Sequence, residues 1–191
     1  MRSLRWLLLL LLLAGCGGDQ HFFSTDITGA AFGRDFAMTD SAGQLHHLAD
    51  YRGKAVVIFF GYTQCPDVCP TTLSGMAETM KRLGDDAKRV QVLFITLDPE
   101  RDTREVLAAY VPQFDPSFVG LSADLPATAA TAAEFKVFYQ KQTGSTPKNY
   151  TIDHTATSYA YDPQGRLHLL VKYSEPPQNL AADLRVLLAG N

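Results

Sequence analysis

The sequence lacks several features that would assign it to a class of protein at once. It has no excess of basic residues, because 17 Lys and Arg face 20 Asp and Glu, for a net charge of −3. Nucleic-acid-binding proteins normally show a basic stripe and a high isoelectric point, so nucleic acid is not expected as a partner. Only three cysteines occur in 191 residues, and a chain of this length folds without a disulfide scaffold. An odd number of cysteines nevertheless requires an explanation.

A long hydrophobic run is also missing, although the chain opens with a short one. Two arginines precede nine apolar residues at positions 6–14. Nine helical residues cover about half of the hydrocarbon core of a bilayer, so this run is typical of a secretory signal peptide and not of a membrane-spanning helix. Residues 13–16 read Leu-Ala-Gly-Cys and resemble the lipobox of bacterial lipoproteins, in which the cysteine becomes the lipidated N-terminus.

The start of the chain therefore predicts three segments. Residues 1–15 are predicted to be a lipoprotein signal peptide, residues 16–30 a lipid anchor at Cys16 with a tether, and residues 31–191 one exported domain. An export signal with an incidental cysteine is the alternative. Cleavage before Cys16 leaves 15 basic against 20 acidic residues. We expect the domain in the periplasm or on the outer face of the cell membrane, held to a bacterial membrane by lipid.

The rest of the chain predicts an α/β domain. Residues 55–60 and 90–97 are runs of apolar, β-branched and aromatic residues, typical of strands buried on both faces. Helices are expected at 70–83, 103–110, 126–135 and 177–188, hairpins at 36–47 and 158–171, and a polar loop at 142–149. This order predicts a thioredoxin-like fold: a central mixed β-sheet flanked by helices, with an added N-terminal hairpin.

The two remaining cysteines, Cys65 and Cys69, lie where the first buried strand gives way to a helix. Positions four apart in a helical turn share one face, so the thiols can bind one metal ion or form a disulfide. A helix N-terminus lowers the pKa of a thiol and favours the thiolate. Two thiolates are too few for a closed zinc site but suit Cu(I), and an added imidazole would accommodate Cu(II). A structural disulfide or two buried thiols is the alternative.

Five histidines could supply that imidazole. His154 follows the predicted polar loop, and loops often present ligands. Its neighbour Asp153 could support the imidazole ring or could be only a turn residue. The other four histidines are predicted to be surface residues, with the last of them facing solvent from an alternating strand: His21, His46, His47 and His168.

Three motifs in this order resemble the Sco/SenC family of copper-binding assembly proteins. They are residues 60–70 (Phe-Gly-Tyr-Thr-Gln-Cys-Pro-Asp-Val-Cys-Pro), 96–103 (Thr-Leu-Asp-Pro-Glu-Arg-Asp-Thr) and 153–155 (Asp-His-Thr), and the resemblance covers about residues 32–188. It implies that Cys65, Cys69 and His154 bind copper, as Cu(I) or Cu(II). It also implies delivery of copper to the Cu(A) site of cytochrome c oxidase subunit II, and exchange with another periplasmic copper carrier.

The resemblance also places Asp98 near the site, where it would support ligand geometry or contact the partner. Capping of the helix that begins near Thr103 is the alternative. Oxidation of Cys65 and Cys69 to a disulfide would abolish copper binding, so thiol redox state is expected to control metal loading.

A carrier of this kind needs no bond-making catalysis, so an enzyme is not expected. The rival interpretation is a thiol–disulfide reductase that keeps the Cu(A) cysteines of the oxidase reduced. Thioredoxin-type enzymes have two residues between their cysteines and a proline facing them. Here three residues separate the cysteines, and no proline adjoins Asp153 and His154.

Overall fold

The computed structural model describes residues 21–146 and 149–190. The predicted signal peptide and Cys16 lie outside these residues. Within them, no helix combines the length and the apolar character needed to cross a bilayer.

The described elements alternate between strands and helices along most of the chain. The strands are β1 (Thr25–Asp26), β2 (Met38–Thr39), β3 (Leu45–His46), β4 (Ala55–Gly61), β5 (Val90–Thr96), β6 (Val119–Leu121), β7 (Tyr139–Thr146), β8 (Asn149–His154), β9 (Ser158–Tyr161) and β10 (Leu167–Val171). The helices are α1 (Val68–Leu83), α2 (Arg104–Tyr110), α3 (Leu125–Glu134) and α4 (Pro177–Ala189). Short 3₁₀ turns occupy residues 48–51, 84–89 and 111–113.

Six strands form one mixed sheet in the order β1-β10-β9-β4-β5-β6. The strands β4, β5 and β6 run parallel, whereas β9 is antiparallel to β4. Both β4 and β5 are buried along their whole length, as their predominantly apolar sequences predict. Alternate side chains of β4 enter two cores, one with α1, α2 and α4 and the other with α3 and the β2–β3 hairpin. The predicted mixed sheet flanked by helices, with its added N-terminal hairpin, is confirmed.

The last part of the predicted tether is packed on the domain. Strand β1 pairs with β10 at the edge of the sheet. The backbone N–H groups of Phe23 and Ser24 donate to the buried carboxylate of Asp183, at 2.8 and 2.9 Å. These contacts satisfy backbone donors and the carboxylate together, so the folded domain begins before residue 31.

The predicted polar loop at 142–149 is wrong, because its described residues belong to the hairpin of β7 and β8. The residues of β7 are mostly polar and exposed, so they carry little hydrophobic signal for a strand. The signal lies in β8, where Tyr150 and Ile152 are buried and the residue between them, Thr151, is exposed. This hairpin is a separate two-stranded sheet.

His168 does not face solvent as predicted. It leaves only 13% of its side chain exposed, with Nε2 at 2.9 Å from Asp162 Oδ2 and Nδ1 at 3.0 Å from Thr28 Oγ1. Its strand β10 is covered on one edge by β1 and the loop that follows, which encloses an imidazole that the alternation alone would leave outside.

Candidate metal centre

The two cysteines lie between the C-terminal end of β4 and the first turn of α1. Cys65 lies in the connecting loop and is half-buried, whereas Cys69 is the second residue of α1 and is fully buried. The helix begins two residues earlier than predicted, and Pro70 is tolerated because the first-turn N–H groups have no partner within a helix. The backbone N–H of Cys69 points at Cys65 Sγ, 3.4 Å away.

The histidine arrives from the other side, on β8. His154 is the last residue of that strand and continues the inward-facing series of Tyr150 and Ile152, because strand side chains alternate. Its Nδ1 lies 3.0 Å from the carbonyl oxygen of Thr155. Donation from Nδ1 to that carbonyl leaves Nε2 with a lone pair, which is the form of imidazole that binds metals.

The three side chains come together as the sequence predicts. The ligand atoms of Cys65, Cys69 and His154 all lie within 4.8 Å of one another, and in the described part of the chain no other group of three His, Cys, Asp or Glu side chains does so. Cys69 Sγ and His154 Nε2 are 3.6 Å apart. Both cysteines are free thiols. A structural disulfide, the alternative interpretation, is therefore not observed.

The pKa values of the two thiols are shifted in opposite directions. The hydrogen bond from the Cys69 thiol lowers the pKa of Cys65 to about 5, and the backbone N–H groups of Asp67 and Cys69 and the nearby His154 act in the same direction. The same hydrogen bond, together with burial, raises the pKa of Cys69. Near neutral pH the pair thus carries one thiolate, and the one remaining proton lies in the hydrogen bond between the two sulfurs.

This set of atoms fits a soft, low-coordinate metal. Thiolate and imidazole ligands bind zinc at about 2.0–2.3 Å, and ligand atoms around such an ion lie roughly 3.5–4 Å apart. The separation of Cys69 Sγ from His154 Nε2 is already in that range. Two sulfurs with one imidazole favour copper, because thiolates select Cu(I) and an imidazole also suits Cu(II). An open cleft leads to this cluster between the Cys65 loop and β8.

Asp153 does not support the imidazole as one interpretation proposed. Adjacent residues of a strand point to opposite faces, so the exposed Asp153 turns away from the ring of His154. Its Oδ2 instead accepts a hydrogen bond of 2.8 Å from Gln142 Nε2 on the neighbouring strand β7. The carbonyl of Thr155 takes the predicted position beside Nδ1.

Asp98 is buried beside the site and caps no helix. Its carboxylate accepts hydrogen bonds from Arg101 Nε and from the hydroxyl of Tyr150, the latter at 2.7 Å. The cap of α2 is Thr103, whose side chain accepts from the backbone N–H of Val106. No hydrogen bond joins Asp98 to a cysteine or to His154 among the described residues, so its contact with the site passes through Tyr150 and Arg101.

Two buried residues next to the cysteine loop were not predicted from the sequence. Asp102 is buried and accepts hydrogen bonds from the backbone N–H and the hydroxyl of Thr63, at 3.0 and 2.6 Å, and from Thr96 Oγ1 at 2.6 Å. Tyr62 is buried, and its ring stands perpendicular to that of His154 with centroids 6.0 Å apart. The only available signal was that these residues belong to the same motifs as Cys65 and Asp98.

The remaining histidines lie outside the cluster. His21 is exposed and contacts Phe23, and His47 Nδ1 lies 3.2 Å from Asp35 Oδ2. His46 lies between Asp40 and Tyr51. None of these contacts involves a cysteine.

The comparison with protein families decides the identity of the chain. The sequence model of SCO1/SenC matches residues 24–189. The chain belongs to the SCO1/SenC family. Relatives in that family include the SCO2-like protein of Rickettsia felis, 36% identical over 70% of this chain and 66% of that protein. The mitochondrial SCO2 homologue of Bos taurus is 34% identical over 78% of this chain and 57% of its own length. The chain thus matches somewhat less than two thirds of these two curated relatives.

Solved structures of SCO1/SenC proteins agree with the fold. Bradyrhizobium japonicum ScoI with copper bound has a TM-score of 0.76 and 39% identity, covering 82% of this chain and 99% of that one. The apo Sco1 protein from Thermus thermophilus has a TM-score of 0.79 and 40% identity, covering 90% and 99%. The predicted thioredoxin-like fold is confirmed by these neighbours.

Proposed function

We propose that this protein is a copper carrier for cytochrome c oxidase assembly, which binds one copper ion through Cys65, Cys69 and His154. The observation that supports the proposal is the meeting of two free thiols and one imidazole at the end of an open cleft. The family assignment supports it as well, since a relative with the same fold has copper bound. Delivery to the Cu(A) site of subunit II is the proposed destination.

The charges of the ligands fit both oxidation states of copper. Two thiolates, a neutral imidazole and Cu(I) leave one net negative charge, whereas Cu(II) leaves none. Binding requires both thiols to lose their protons, so the raised pKa of Cys69 means that copper displaces a proton when it binds. A disulfide between Cys65 and Cys69 would remove both sulfur ligands, which would couple copper loading to thiol redox state.

Release would follow by exchange of ligands. The half-buried Cys65 and His154 line the cleft, whereas Cys69 is buried behind them. Incoming thiolates of the partner would therefore first replace the two accessible ligands and would displace Cys69 last. No covalent bond within either protein has to be made or broken.

The lipid anchor is part of the proposal. Lipid on Cys16 would hold the domain to a bacterial membrane, with the domain in the periplasm or on the outer face of the cell membrane. Fatty-acid labelling of the expressed protein should depend on Cys16, and Cys16→Ser should release the protein from the membrane fraction.

Anaerobic titration of the reduced protein with Cu(I) and with Cu(II) tests copper binding. We expect one copper per chain, bound through sulfur, and a weaker Cu(II) complex without imidazole nitrogen signals in His154→Ala. The exposed His21→Ala is the matched control and should bind like the wild type. Failure of the wild type to hold copper would contradict the carrier.

The reductase is retained as a second candidate because the pKa of Cys65 is lowered to about 5 while both thiols are free. A low pKa makes Cys65 the attacking or leaving sulfur in thiol–disulfide exchange. Efficient reduction of a disulfide in a Cu(A) domain, by a protein that holds no copper, would favour this function. Transfer of copper to a reduced Cu(A) domain would favour the carrier.

A further inference from the structure

Arg101, in the turn that follows β5, contacts both parts of the chain that supply the metal ligands. Its Nη1 donates to Gln64 Oε1 at 3.2 Å, next to Cys65, and to the carbonyl oxygen of Tyr150 at 2.9 Å, on the strand of His154. Its Nε donates to the buried carboxylate of Asp98. One guanidinium thus joins the cysteine loop, the turn after β5 and the histidine hairpin. Arginine suits this position because its donors form a rigid fork.

Two cations lie over the Tyr150 ring. The Arg101 guanidinium carbon lies 3.4 Å from the ring centroid, and Lys141 Nζ lies 3.9 Å from it. Cations attract the electron-rich faces of such rings. The hydroxyl of Tyr150 donates to Asp98, so the ring is fixed at its edge as well as on its faces. We call Asp98, Arg101 and Tyr150 the clamp.

The clamp matters because the hairpin has no ladder to the main sheet. Among the residues that the structure describes, strands β7 and β8 pair only with each other, and an isolated two-stranded hairpin is marginally stable in water. Its position relative to the cysteines therefore depends on side-chain contacts. Tyr150, Ile152 and His154 share one face of β8, so whatever fixes Tyr150 also fixes the direction from which the imidazole reaches the sulfurs.

We propose that Arg101 is a positioning residue that places His154 against Cys65 and Cys69 by tying the hairpin to the cysteine loop. The inference rests on the proposed function for its consequence in copper binding. The position of the hairpin in the metal-free protein does not depend on copper and can be tested separately. Arg101 touches none of the three ligand atoms, so it acts through Tyr150 and Gln64.

The variants are Arg101→Ala and Arg101→Lys, with Arg104→Ala as the matched control. Arg104 is exposed three residues further along the chain. Lysine keeps a positive charge beside the buried Asp98 but cannot reach Gln64, Asp98 and Tyr150 at once. It is therefore the variant to use if the alanine protein does not fold. Both Arg101 variants should change hairpin amide exchange and the His154 ring contacts in the same direction, and the change should be smaller for lysine.

In the metal-free protein, NMR and amide hydrogen exchange report the position of the hairpin. The centroid of the His154 ring lies 6.0 Å from that of Tyr62 and 6.2 Å from that of Phe59. Arg101→Ala should weaken the nuclear Overhauser contacts between these rings. It should also speed amide exchange in β7 and β8 about tenfold, the factor that loss of a charged hydrogen bond predicts. Exchange in β4 and β5 should not change.

With Cu(II) bound, paramagnetic resonance reports whether the imidazole is a ligand. Arg101→Ala should lose imidazole nitrogen couplings and bind Cu(II) about tenfold more weakly, whereas Cu(I), held by two thiolates, should bind with little change. Arg104→Ala should match the wild type in both measurements.

Two results would overturn the inference. One is an Arg101→Ala protein, or a folded Arg101→Lys protein, whose hairpin exchange and ring contacts match the wild type. The other is a loosened hairpin whose Cu(II) complex keeps its nitrogen couplings and affinity, since the clamp would then serve stability alone. If the wild type binds no copper, the proposed function fails, and the ring contacts of metal-free His154 alone decide whether Arg101 positions it.

Discussion

The two segments that would supply the metal ligands are built in opposite ways. The cysteines follow β4, a strand whose seven residues are all buried and which pairs with neighbours on both sides. The histidine ends β8, one strand of a mostly polar hairpin outside the six-stranded sheet. The first segment is therefore positioned by backbone pairing within the sheet and by the hydrophobic core. The second is positioned by side chains alone, namely Tyr150 and Ile152 in the core and the polar contacts with Asp98 and Arg101.

This difference separates the roles of the ligands. The position of the buried Cys69 sulfur depends on the core and changes only when the fold changes, so Cys69 would be the last ligand to leave the metal. An imidazole on a peripheral hairpin can withdraw at a lower free-energy cost, because local opening needs only the loss of a few side-chain contacts. A carrier benefits from such an arrangement, since it must hold its metal and also surrender it.

The largest expected effect comes from removing the core beneath the cysteines. Phe59 is fully buried in β4, and its ring lies 6.1 Å from Phe94 and 6.2 Å from His154 between centroids. Phe59→Ala should lower the free energy of unfolding by about 3–5 kcal/mol, through lost burial and the remaining cavity. Urea denaturation of the reduced, metal-free protein measures this.

The matched control is Phe138→Ala, next to the hairpin. The Phe138 side chain is 63% exposed, so its removal should change stability by less than about 0.5 kcal/mol. Equal losses for the two variants would show that the hairpin region carries as much of the global stability as β4, and the comparison would fail.

A smaller effect is expected from adding one methyl group beside a ligand. A Cβ on Gly61 would lie 2.8 Å from Cys69 Sγ and 2.9 Å from the ring of Phe94. Gly61→Ala should therefore displace the sulfur and destabilise the protein by about 1–3 kcal/mol through overpacking. Copper affinity should fall with it, as titration and thermal denaturation can show.

Gly75→Ala is the control for this change. Gly75 lies within α1, and a Cβ there would meet open space. Alanine favours the helix over glycine by about 0.5–1 kcal/mol, so this variant should be slightly more stable and bind copper normally. A Gly61→Ala protein with unchanged copper affinity would mean that Cys69 can move freely, against the rigid cysteine segment argued above.

The same contrast explains what the sequence could predict. Strands β4 and β5 are predominantly apolar and rich in β-branched and aromatic residues, and α1 carries Leu73, Met76 and Met80 on one stripe, so their burial and type follow from pattern. The hairpin could not be predicted this way, because β7 has no hydrophobic face. Only the alternation of Tyr150 and Ile152 indicates a strand.

The site divides along the same line. The cysteine pair follows from spacing and from its place between a strand and a helix. His154 is distinguished from the other four histidines only by its place after a predicted polar loop, and the resemblance then implies that it is a ligand. The contacts of Arg101 span 37 and 49 residues of the chain, to Gln64 and Tyr150. No local pattern encodes contacts of that range. The sequence could not decide whether Asp153 supports the ring for the same reason, since its direction depends on β8 being a strand.

The pH dependence of stability tests the electrostatics of the cysteine segment. In the unfolded chain the Cys65 thiol has a pKa of about 8.5, whereas hydrogen bonding from the Cys69 thiol lowers it to about 5 in the folded protein. A lowered pKa stabilises the fold above the unfolded value, and this stabilisation is lost as the pH falls from about 9 towards 5. The reduced, metal-free protein should become less stable over that range.

Cys65→Ser should flatten this slope, because serine does not titrate there. The measurement is a series of urea denaturation curves under reducing conditions. Between the folded and unfolded pKa values of Cys65, the unfolded protein binds more protons than the folded protein, so the free energy of unfolding increases with pH. The increase ends where the raised pKa of Cys69 begins to oppose it. An identical slope in the wild type and Cys65→Ser would contradict the hydrogen-bonded thiolate.

The smallest expected effect separates the buried clamp from the exposed contacts around it. Lys141 forms an ion pair with Glu100 at 2.9 Å, with about half of each side chain exposed, whereas Asp98 and Arg101 expose only 2% and 13% of theirs. Exposed ion pairs contribute little because water and salt screen them. Glu100→Gln should therefore leave the melting temperature, the hairpin exchange rates and the Cu(II) spectrum as they are in the wild type. Because Lys141 would still face the Tyr150 ring, a loosened hairpin in Glu100→Gln would mean that surface charge, and not the buried guanidinium, holds His154 in place.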